Sequence, residues 1–553
     1  MEKKTNKKIL WLDINSSYSH SSVGLPAIHA QVSENTEWEW VVVRGTINDN
    51  PCALAAAVAK EQPDLIAATF WLFTHQMQIE VLSRAVELLE NVKVVCGGPE
   101  FLGDNEEFLR RHQFVTAILR GEGELTLPKF LEAIDSPNDW KEIEGLCWID
   151  NGVYHDKGIA RVAEFSSLKY PEESEFFKWD KPFVQLETTR GCFNTCAFCV
   201  SGGEKPVRYQ SLEQVAARLA NIYAHGIKDI RVLDRTFNYD PQRACEMLDL
   251  FEQYAGKMRF HLEIHPSLIS NTLKTKLSNL PKGLLHIEAG IQSLDSNVLA
   301  QSGRKGSLKS SLEGLQYLCS LNNIEVHADL IAGLPAYTLD MLCNDIIKLV
   351  EFGVDELQVE SLKVLPGTQI QMSAKDKGLK YSPLPPYEIL KTPTMSPEEL
   401  RFAMKMSRML DFYYNTSVWQ KVTKTLICCD TNFIKSFTDH LDNIMVLDSP
   451  LGLERRGVIL YEYCKINYPH ILTEVSIAWI EAGYSLKKEP AGNITKIKNL
   501  ETFLTESKCQ LSVEYGNLSI SHRYYLLSTP DKSMLFGYDS EEHHPSPVIR
   551  ASL

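Results

Sequence analysis

The chain has 553 residues, 44 % hydrophobic and 23 % charged, with a formal net charge of -14 at pH 7. That length exceeds one ordinary core and suggests roughly three domains, while the composition excludes a long disordered or fibrous protein. The negative charge removes any general attraction to a phosphate backbone, so no specific nucleic-acid partner is expected. No apolar run approaches the roughly 20 residues of a membrane-spanning helix; the most apolar stretch, Leu65 to Phe73, is strand-length and interrupted by Thr69. The lysines of Met1 to Lys8 precede strand-like residues and Asp13 rather than the apolar core of a signal peptide, which points to the cytoplasm. The 13 cysteines are an odd number, scattered singly apart from one cluster and the pair Cys428 and Cys429. This is the usage of reduced thiols in an oxygen-poor cell, not of a disulfide framework.

In chain order, Ile9 to Ile14, Trp38 to Val43, Leu65 to Leu72, Val92 to Val95 and Val115 to Leu119 read as strands, with helical stretches between them. Apolar strands at this spacing, punctuated by Gly, Ser or Asn, predict a parallel doubly wound sheet over residues 1–135. Ligands of such a sheet sit at the carboxyl ends of its strands. The predicted rim comprises Asn15 to His20, Thr69, Trp71, Gly97 to Glu100 and Gly121 to Glu124. Residues 136–180 are irregular, with one short strand-like run, Gly145 to Ile149, and read as a linker packed on its neighbours.

A second series of strands follows at Phe183 to Thr188, Asp229 to Asp234, Phe260 to Ile264, Leu284 to Ala289, Glu325 to Ile331 and Glu356 to Lys363. The helices between are well marked: Ser211 and Gln214 form a capping box, Val215, Leu219 and Ile222 an apolar face, and Gly226 a stop. Six consecutive βα units over residues 181–380 predict a partial barrel with its functional groups on the loops leaving the strand ends. A Pro-rich segment, Tyr381 to Pro393, marks a boundary before a domain over 394–553. That domain is helical at first and hairpin-like around Gly516 and Asn517, between Leu511 and Leu527. It is expected to cover the open side of the partial barrel.

The chemistry is concentrated in Thr188-Thr-Arg-Gly-Cys-Phe-Asn-Thr-Cys-Ala-Phe-Cys199, where Cys192, Cys196 and Cys199 lie three and two residues apart on the loop leaving the first strand of the second series. Three thiolates hold three irons of a four-iron cube and leave one iron open, whereas an electron carrier supplies a fourth cysteine. The competing readings are a zinc site, which needs a fourth Cys or His nearby, and a set of structural thiols. No further Cys or His follows Cys199 at short distance.

This loop, with Phe198 just before its last cysteine, resembles the radical S-adenosylmethionine (SAM) superfamily. Further similarity lies in Val232 to Asn238, His261 to Ile264, Glu288 to Asp295 and Asp329 to Pro335. The resemblance implies a [4Fe-4S] cluster on the three cysteines. Its open iron chelates S-adenosyl-L-methionine, which is cleaved reductively to methionine and a 5′-deoxyadenosyl radical. Phe198, Asp234, Asn238, Glu263 and Gln292 are the implied SAM contacts, although Asp234 and Asn238 stand where the family's usual Gly-Gly-Glu element is missing. The alternative for these polar groups is satisfaction of strand-end backbone.

A doubly wound domain directly before such a core is similar to the cobalamin-binding subgroup of the superfamily, to which Gly97-Gly-Pro-Glu100 and Arg120-Gly-Glu-Gly-Glu124 correspond. The implied cobalamin contacts are Ser16, Tyr18, Thr69, Gly97, Gly98, Gly121, Glu122 and Glu124. The Asp-x-His-x-x-Gly element is absent, so His20, His29 and His75 are expected to be solvated or capping groups rather than cobalt ligands. With Asn15 to His20 and Leu362 to Thr368, the whole chain resembles an anaerobic bacterial group with an uncharacterised C-terminal domain.

The implied fold class is α/β: a Rossmann-like (flavodoxin-like) domain, a partial (β/α)6 TIM-type radical SAM barrel and an α+β C-terminal domain. The implied function is cobalamin-dependent C-methylation at unactivated carbon of a small-molecule, lipid or peptide substrate, served by a flavodoxin- or ferredoxin-type reductant. Radical cyclisation, oxidation or rearrangement is the second reading, and a non-catalytic iron-sulfur or cobalamin sensor the third. The pairs Cys428/Cys429 and His543/His544 are read as a buried thiol pair and a solvated tail rather than a second metal site. No catalytic residue is assigned.

Overall fold

The structure, a computed structural model, describes residues 7–32, 34, 37–507, 511–519, 522–529, 532–539 and 546–553. Two units are distinguished by their internal contacts: Met1–Thr338 with Ser361–Leu400, and Leu339–Glu360 with Arg401–Leu553. His543 and His544 lie outside the described residues.

In the first unit, β1 (Lys7–Asn15), β2 (Trp38–Thr46), β3 (Leu65–Thr69), β4 (Lys93–Gly97) and β5 (Ala117–Leu119) pair in parallel in the order β2-β1-β3-β4-β5. The strands are apolar on both faces because helices cover both. Leu10, Leu12 and Ile66 pack on one side, and Ile9, Trp11 and Leu65 on the other. The order reverses between β1 and β3, which opens a crevice at the carboxyl ends of the strands.

The short strand predicted at 145–149 forms as β6 (Leu146–Asp150) and turns at Asn151 and Gly152, both at positive φ, into β7 (Val153–Asp156). This antiparallel hairpin extends the first sheet beyond β5 to seven strands. Asn-Gly suits such a turn because both residues tolerate the left-handed backbone it requires.

The second sheet of this unit runs β8 (Val184–Leu186), β11 (Asp229–Val232), β12 (Arg259–Ile264), β13 (Leu285–Gln292) and β14 (Ile324–Ala332), all parallel. Two short strands, β9 (Thr189–Arg190) and β10 (Arg208–Tyr209), pair where the cysteine loop begins and ends. Burial alternates strictly along β12 and β13. Phe260, Leu262, Leu285, Ile287 and Ala289 are buried, while His261, Glu263, His286, Glu288 and Gln292 remain half-buried on the opposite face. One face of the sheet is thus an apolar seat for helices, and the other a polar lumen. The sixth predicted strand forms as β15 (Glu356–Ser361).

The second unit packs helices Ser417–Cys429, Phe433–Asn443, Leu453–Asn467 and Leu472–Glu481 around buried Trp419, Trp479, Phe433 and Phe437. Cys428 and Cys429 are both exposed at a helix end, which corrects their reading as a buried pair. Among the described residues, neither joins a group of three possible metal ligands. The hairpin predicted between Leu511 and Leu527 is also corrected. Strand Ser512–Tyr515 pairs with Ile549–Ser552, while Arg523–Ser528 pairs with Ser533–Tyr538. The tighter connection at Thr529 and Lys532, closed by bonds of 3.1 and 2.7 Å, takes the turn that Gly516 was expected to provide. Among the described residues, no helix is long and apolar enough to cross a membrane.

At the end of β4, Gly98 has φ +107°, and a Cβ there would lie 2.6 Å from the Phe70 carbonyl oxygen. Gly98→Ala is therefore expected to destabilise the first unit by about 1–3 kcal/mol, since both the backbone and the contact are strained. An unchanged denaturation midpoint for this variant would contradict the tight turn.

Candidate functional site

The cysteine loop is held by the turn at 302–305, more than a hundred residues further along the chain. Ala197 N donates to Ser302 O at 2.8 Å, Thr195 Oγ1 to Gly303 O at 2.9 Å, and Asn194 exchanges two bonds with Lys305 at 2.8 and 3.1 Å. Glycines permit this close fit: a Cβ on Gly202 would meet Cys196 O at 2.3 Å, and one on Gly303 would meet Thr195 O at 2.7 Å. Cys192 and Cys196 are buried and Cys199 half-buried. Burial raises the Cys196 and Cys199 thiols, Arg304 and Arg235 respectively oppose this, and the neighbouring thiols raise them further.

One donor faces these sulfurs, and the sequence pattern did not single it out: Arg304 Nη1 lies 3.8 Å from Cys196 Sγ. Thr236 Oγ1 lies 3.8 Å from Cys192 Sγ and donates its own proton to Arg235 O at 2.7 Å. A thiol-rich donor set without a fourth thiol or imidazole in the loop, with a guanidinium beside it, suits an iron-sulfur cluster.

The residues expected to contact SAM separate into two sets. Asp234 is 2 % exposed, and its carboxylate accepts from Thr188 N and Thr189 N, both at 2.8 Å, and from Thr188 Oγ1. Asn238 is fully buried and bonds both backbone groups of His265 at 2.9 and 3.0 Å. Their polar atoms hold the strand ends, the alternative that the sequence left open for them. Gln292 and Glu263 do face the lumen. Gln292 has φ +70°, folds its amide over Gly290, and leaves Oε1 buried without a hydrogen-bond partner. An unpaired buried acceptor is costly and marks a place where a ligand donor fits. Phe198 is half-buried on the loop.

Deeper along the same strands, His261 Nε2 lies 2.9 Å from Glu288 and His327 Nε2 lies 3.0 Å from Asp329. Burial raises the Asp329 carboxyl and Glu288 raises it further, whereas bonds from His261 and Asp329 hold Glu288 down. Burial pushes Glu263 up to about 7, against the opposing charge of Arg235 and with the help of Glu288.

At the carboxyl ends of β3, β4 and β5 a cavity of about 350 Å³ is lined by Thr69, Gly97, Gly98, Gly121, Glu122 and Glu124. Val200, Ser201 and Gly191 of the cysteine loop line it too, as does Arg235. Glycine-walled backbone at a sheet's switch point fits a bulky ligand rich in amides, such as a corrin.

Ser16 and Tyr18 are not among the lining residues, and Tyr18 is 85 % exposed, its carbonyl held by Lys181 Nζ at 2.5 Å. His20 bonds Ser17 Oγ at 2.7 Å and His75 bonds Glu100 at 2.8 Å. His29 is buried between Trp40 and Phe176, not solvated, and bonds Ser174 at 2.9 Å.

Glu122 and Glu124 border the cavity but bind protein. Arg190 reaches Glu122 at 3.2 Å, Glu124 at 2.6 Å and Glu187 at 2.9 Å, and Arg208 reaches Glu122 at 2.7 Å. Burial alone would raise the Glu122 carboxyl, but bonds from Arg208 and the charge of Arg190 hold it below the usual range. These arginines, invisible as a site in the sequence, join the rim of the first sheet to the cysteine loop.

Fold and site together define a cluster-bearing barrel behind a nucleotide-fold cofactor domain. Comparison agrees: residues 186–348 match the radical SAM superfamily, 11–131 the B12 binding domain, and 375–470 a protein family of unknown function, DUF4080. An uncharacterised methyltransferase, PH0819 of Pyrococcus horikoshii, is 27 % identical over 63 % of this chain and 77 % of its own length. The cobalamin-dependent radical SAM methyltransferase TokK of Streptomyces tokunonensis is 23 % identical over 63 % of this chain, which spans only 54 % of that relative.

Two solved structures share the fold. The cobalamin-dependent SAM radical enzyme OxsB, with aqua-cobalamin and SAM bound, has a TM-score of 0.61 at 13 % identity, covering 92 % of this chain and 82 % of its own. The radical SAM methyltransferase TsrM of Kitasatospora setae has a TM-score of 0.56 at 16 % identity, covering 72 % and 81 %. The radical SAM match over residues 186–348 marks the chain as an enzyme. With the B12 binding match over residues 11–131, its cofactors are a [4Fe-4S] cluster, SAM and cobalamin.

Asp234→Asn would turn an amide toward the Thr188 and Thr189 donors. It is expected to cost about 1–3 kcal/mol and to lower the iron retained after reconstitution, measured by denaturation and iron analysis. The Glu263 carboxyl, raised in the folded state, contributes stability that is complete below its unfolded pKa and lost as pH rises through about 7. Between about pH 4.5 and about pH 7 the thermal midpoint of cofactor-free wild type should therefore fall relative to that of Glu263→Gln. A constant gap between the two would remove the buried-carboxyl assignment.

Proposed function

We propose that this enzyme is a cobalamin-dependent C-methyltransferase acting at an unactivated carbon of a small-molecule, lipid or peptide substrate. The observation that carries this reading is the shared cavity: its walls come from the strand ends of the first sheet and from Gly191, Val200 and Ser201 beside the cysteines. A corrin in that cavity adjoins the loop that holds the cluster, with the barrel lumen alongside. In this reading Cys192, Cys196 and Cys199 ligate the cluster, Gln292, Glu263 and Phe198 contact SAM, and Thr69, Gly97, Gly98 and Gly121 contact the corrin. Bound there, the cluster supplies the electron that cleaves SAM to a 5′-deoxyadenosyl radical, and the cobalamin supplies the methyl group.

The chain's own residues bind, orient and exclude water. Asp234 fixes Thr188 and Thr189, the last residues before the loop. Gln292 Oε1 offers an acceptor to a donor group on the nucleoside cofactor. Glu122 and Glu124 keep Arg190 in place rather than touching the corrin. The electron comes from a flavodoxin- or ferredoxin-type reductant.

Anaerobic reconstitution with iron, sulfide and hydroxocobalamin, followed by mass analysis of nucleosides under reducing conditions, tests the reading. Methyl transfer yields S-adenosylhomocysteine alongside 5′-deoxyadenosine. Deoxyadenosine with product but no S-adenosylhomocysteine would instead indicate cyclisation, oxidation or rearrangement, and no cleavage of SAM would indicate a sensor. Ala at Cys192, Cys196 or Cys199 is expected to abolish SAM cleavage, by at least about a thousandfold, because the cube loses a ligand.

A further inference from the structure

Arg304 belongs to none of the motif residues, yet it is the guanidinium nearest the cysteine loop that hydrogen-bonds one of its sulfurs. Nη1 lies 3.8 Å from Cys196 Sγ, and Nη2 donates to Gly290 O. Its backbone N is fixed to Leu299 O at 3.0 Å, where the helix Ser296–Gln301 ends. The residues flanking Cys196 are registered on the same turn, Thr195 through Gly303 and Ala197 through Ser302. Asn194 is tied to Lys305, next to Arg304 itself. The loop therefore cannot move away from the guanidinium without breaking four bonds of ordinary length, so the N–H to sulfur contact is a fixed feature of the pocket rather than an accident of one rotamer.

The geometry points to Arg304 as a positioning residue that sets the reduction potential of the cluster through its bond to Cys196 Sγ. The inference rests on the reading of Cys192, Cys196 and Cys199 as cluster ligands. Adding an electron to a thiolate-ligated cube increases its negative charge, and a hydrogen bond or cation at a ligand sulfur stabilises that reduced form. The permanent charge of arginine does this at any working pH. Gly290 O gives the other arm of the fork a fixed acceptor, so the guanidinium cannot turn away from the sulfur freely.

The test is a redox titration, followed by electron paramagnetic resonance, of full-length reconstituted enzyme without SAM, comparing wild type with R304Q, R304M and R304K. R304Q and R304M are expected to retain wild-type iron and sulfide but to have an equilibrium constant for reduction about tenfold smaller, a shift of about 59 mV to lower potential for a one-electron couple. R304K, which keeps the charge but not the fork, is expected to fall between them and wild type. An unchanged midpoint in R304Q and R304M with intact clusters overturns the inference. It is equally overturned if only SAM affinity changes, which would make Arg304 a nucleoside contact, or if both variants fail to hold a cluster, which would make it a loop clamp. Wild-type protein containing zinc, or no iron, would instead remove the reading of the cysteines, so the two failures are distinguishable.

Discussion

The largely shielded guanidinium of Arg190, 13 % exposed, is the constraint on which the site depends. It stands two residues before Cys192 and is surrounded by Glu122 and Glu124 from the first sheet and Glu187 from the second. A charge taken out of water must be paired, and removing one partner of such a pair typically costs about 3–5 kcal/mol because the other is left uncompensated. Burial works against the charged guanidinium, but the surrounding carboxylates outweigh it and keep the proton bound. The strand that launches the cysteine loop is thereby locked to the wall of the corrin cavity. Arg208 extends this network to Glu122 and Glu204.

That network changes the meaning of the acidic residues at the end of β5. Glycines of the Gly-Glu-Gly-Glu run supply the open backbone the cavity needs. Gly121, at φ +105°, approaches Ala160 so closely that a Cβ would lie 2.4 Å from its carbonyl oxygen. The glutamates of that run border the same cavity and pair with Arg190 and Arg208. The same division recurs in the barrel, where Asp234 and Asn238 bind backbone while Gln292 and Glu263 face the lumen. In both sheets these polar groups nearest the strand ends stabilise the frame.

The lumen of the barrel is polar because β12 and β13 carry a charged or polar residue at every second position except Gly290, opposite an unbroken apolar series. Register then stacks the groups in layers: His261 beside His286, and Glu263 beside Glu288. Histidines and carboxylates so placed also pair directly, His261 with Glu288 at 2.9 Å and His327 with Asp329 at 3.0 Å. Such pairs order the barrel interior.

Much of this protein was determined by local pattern alone. The five parallel strands of the first sheet, the strand positions of the second and the three-cysteine loop with its missing fourth ligand are legible because period, punctuation and spacing act over a few residues. The partners of the site's polar groups are a different matter. Asp234 meets Thr188 across 46 positions, Arg190 meets Glu124 across 66, and Arg304 meets Cys196 across 108. Whether a carboxylate holds a strand end or faces a ligand depends on which donor packing brings within about 3 Å, and no sequence period encodes that distance. The C-terminal sheet shows the same limit, since Gly516 and Asn517 carry a turn signal, yet Ser512–Tyr515 pairs with Ile549–Ser552. Spacing along the chain decided the chemistry of the sulfurs; only the folded chain decided which side chains hold them in place, because those contacts form between segments that are remote until the two sheets have packed.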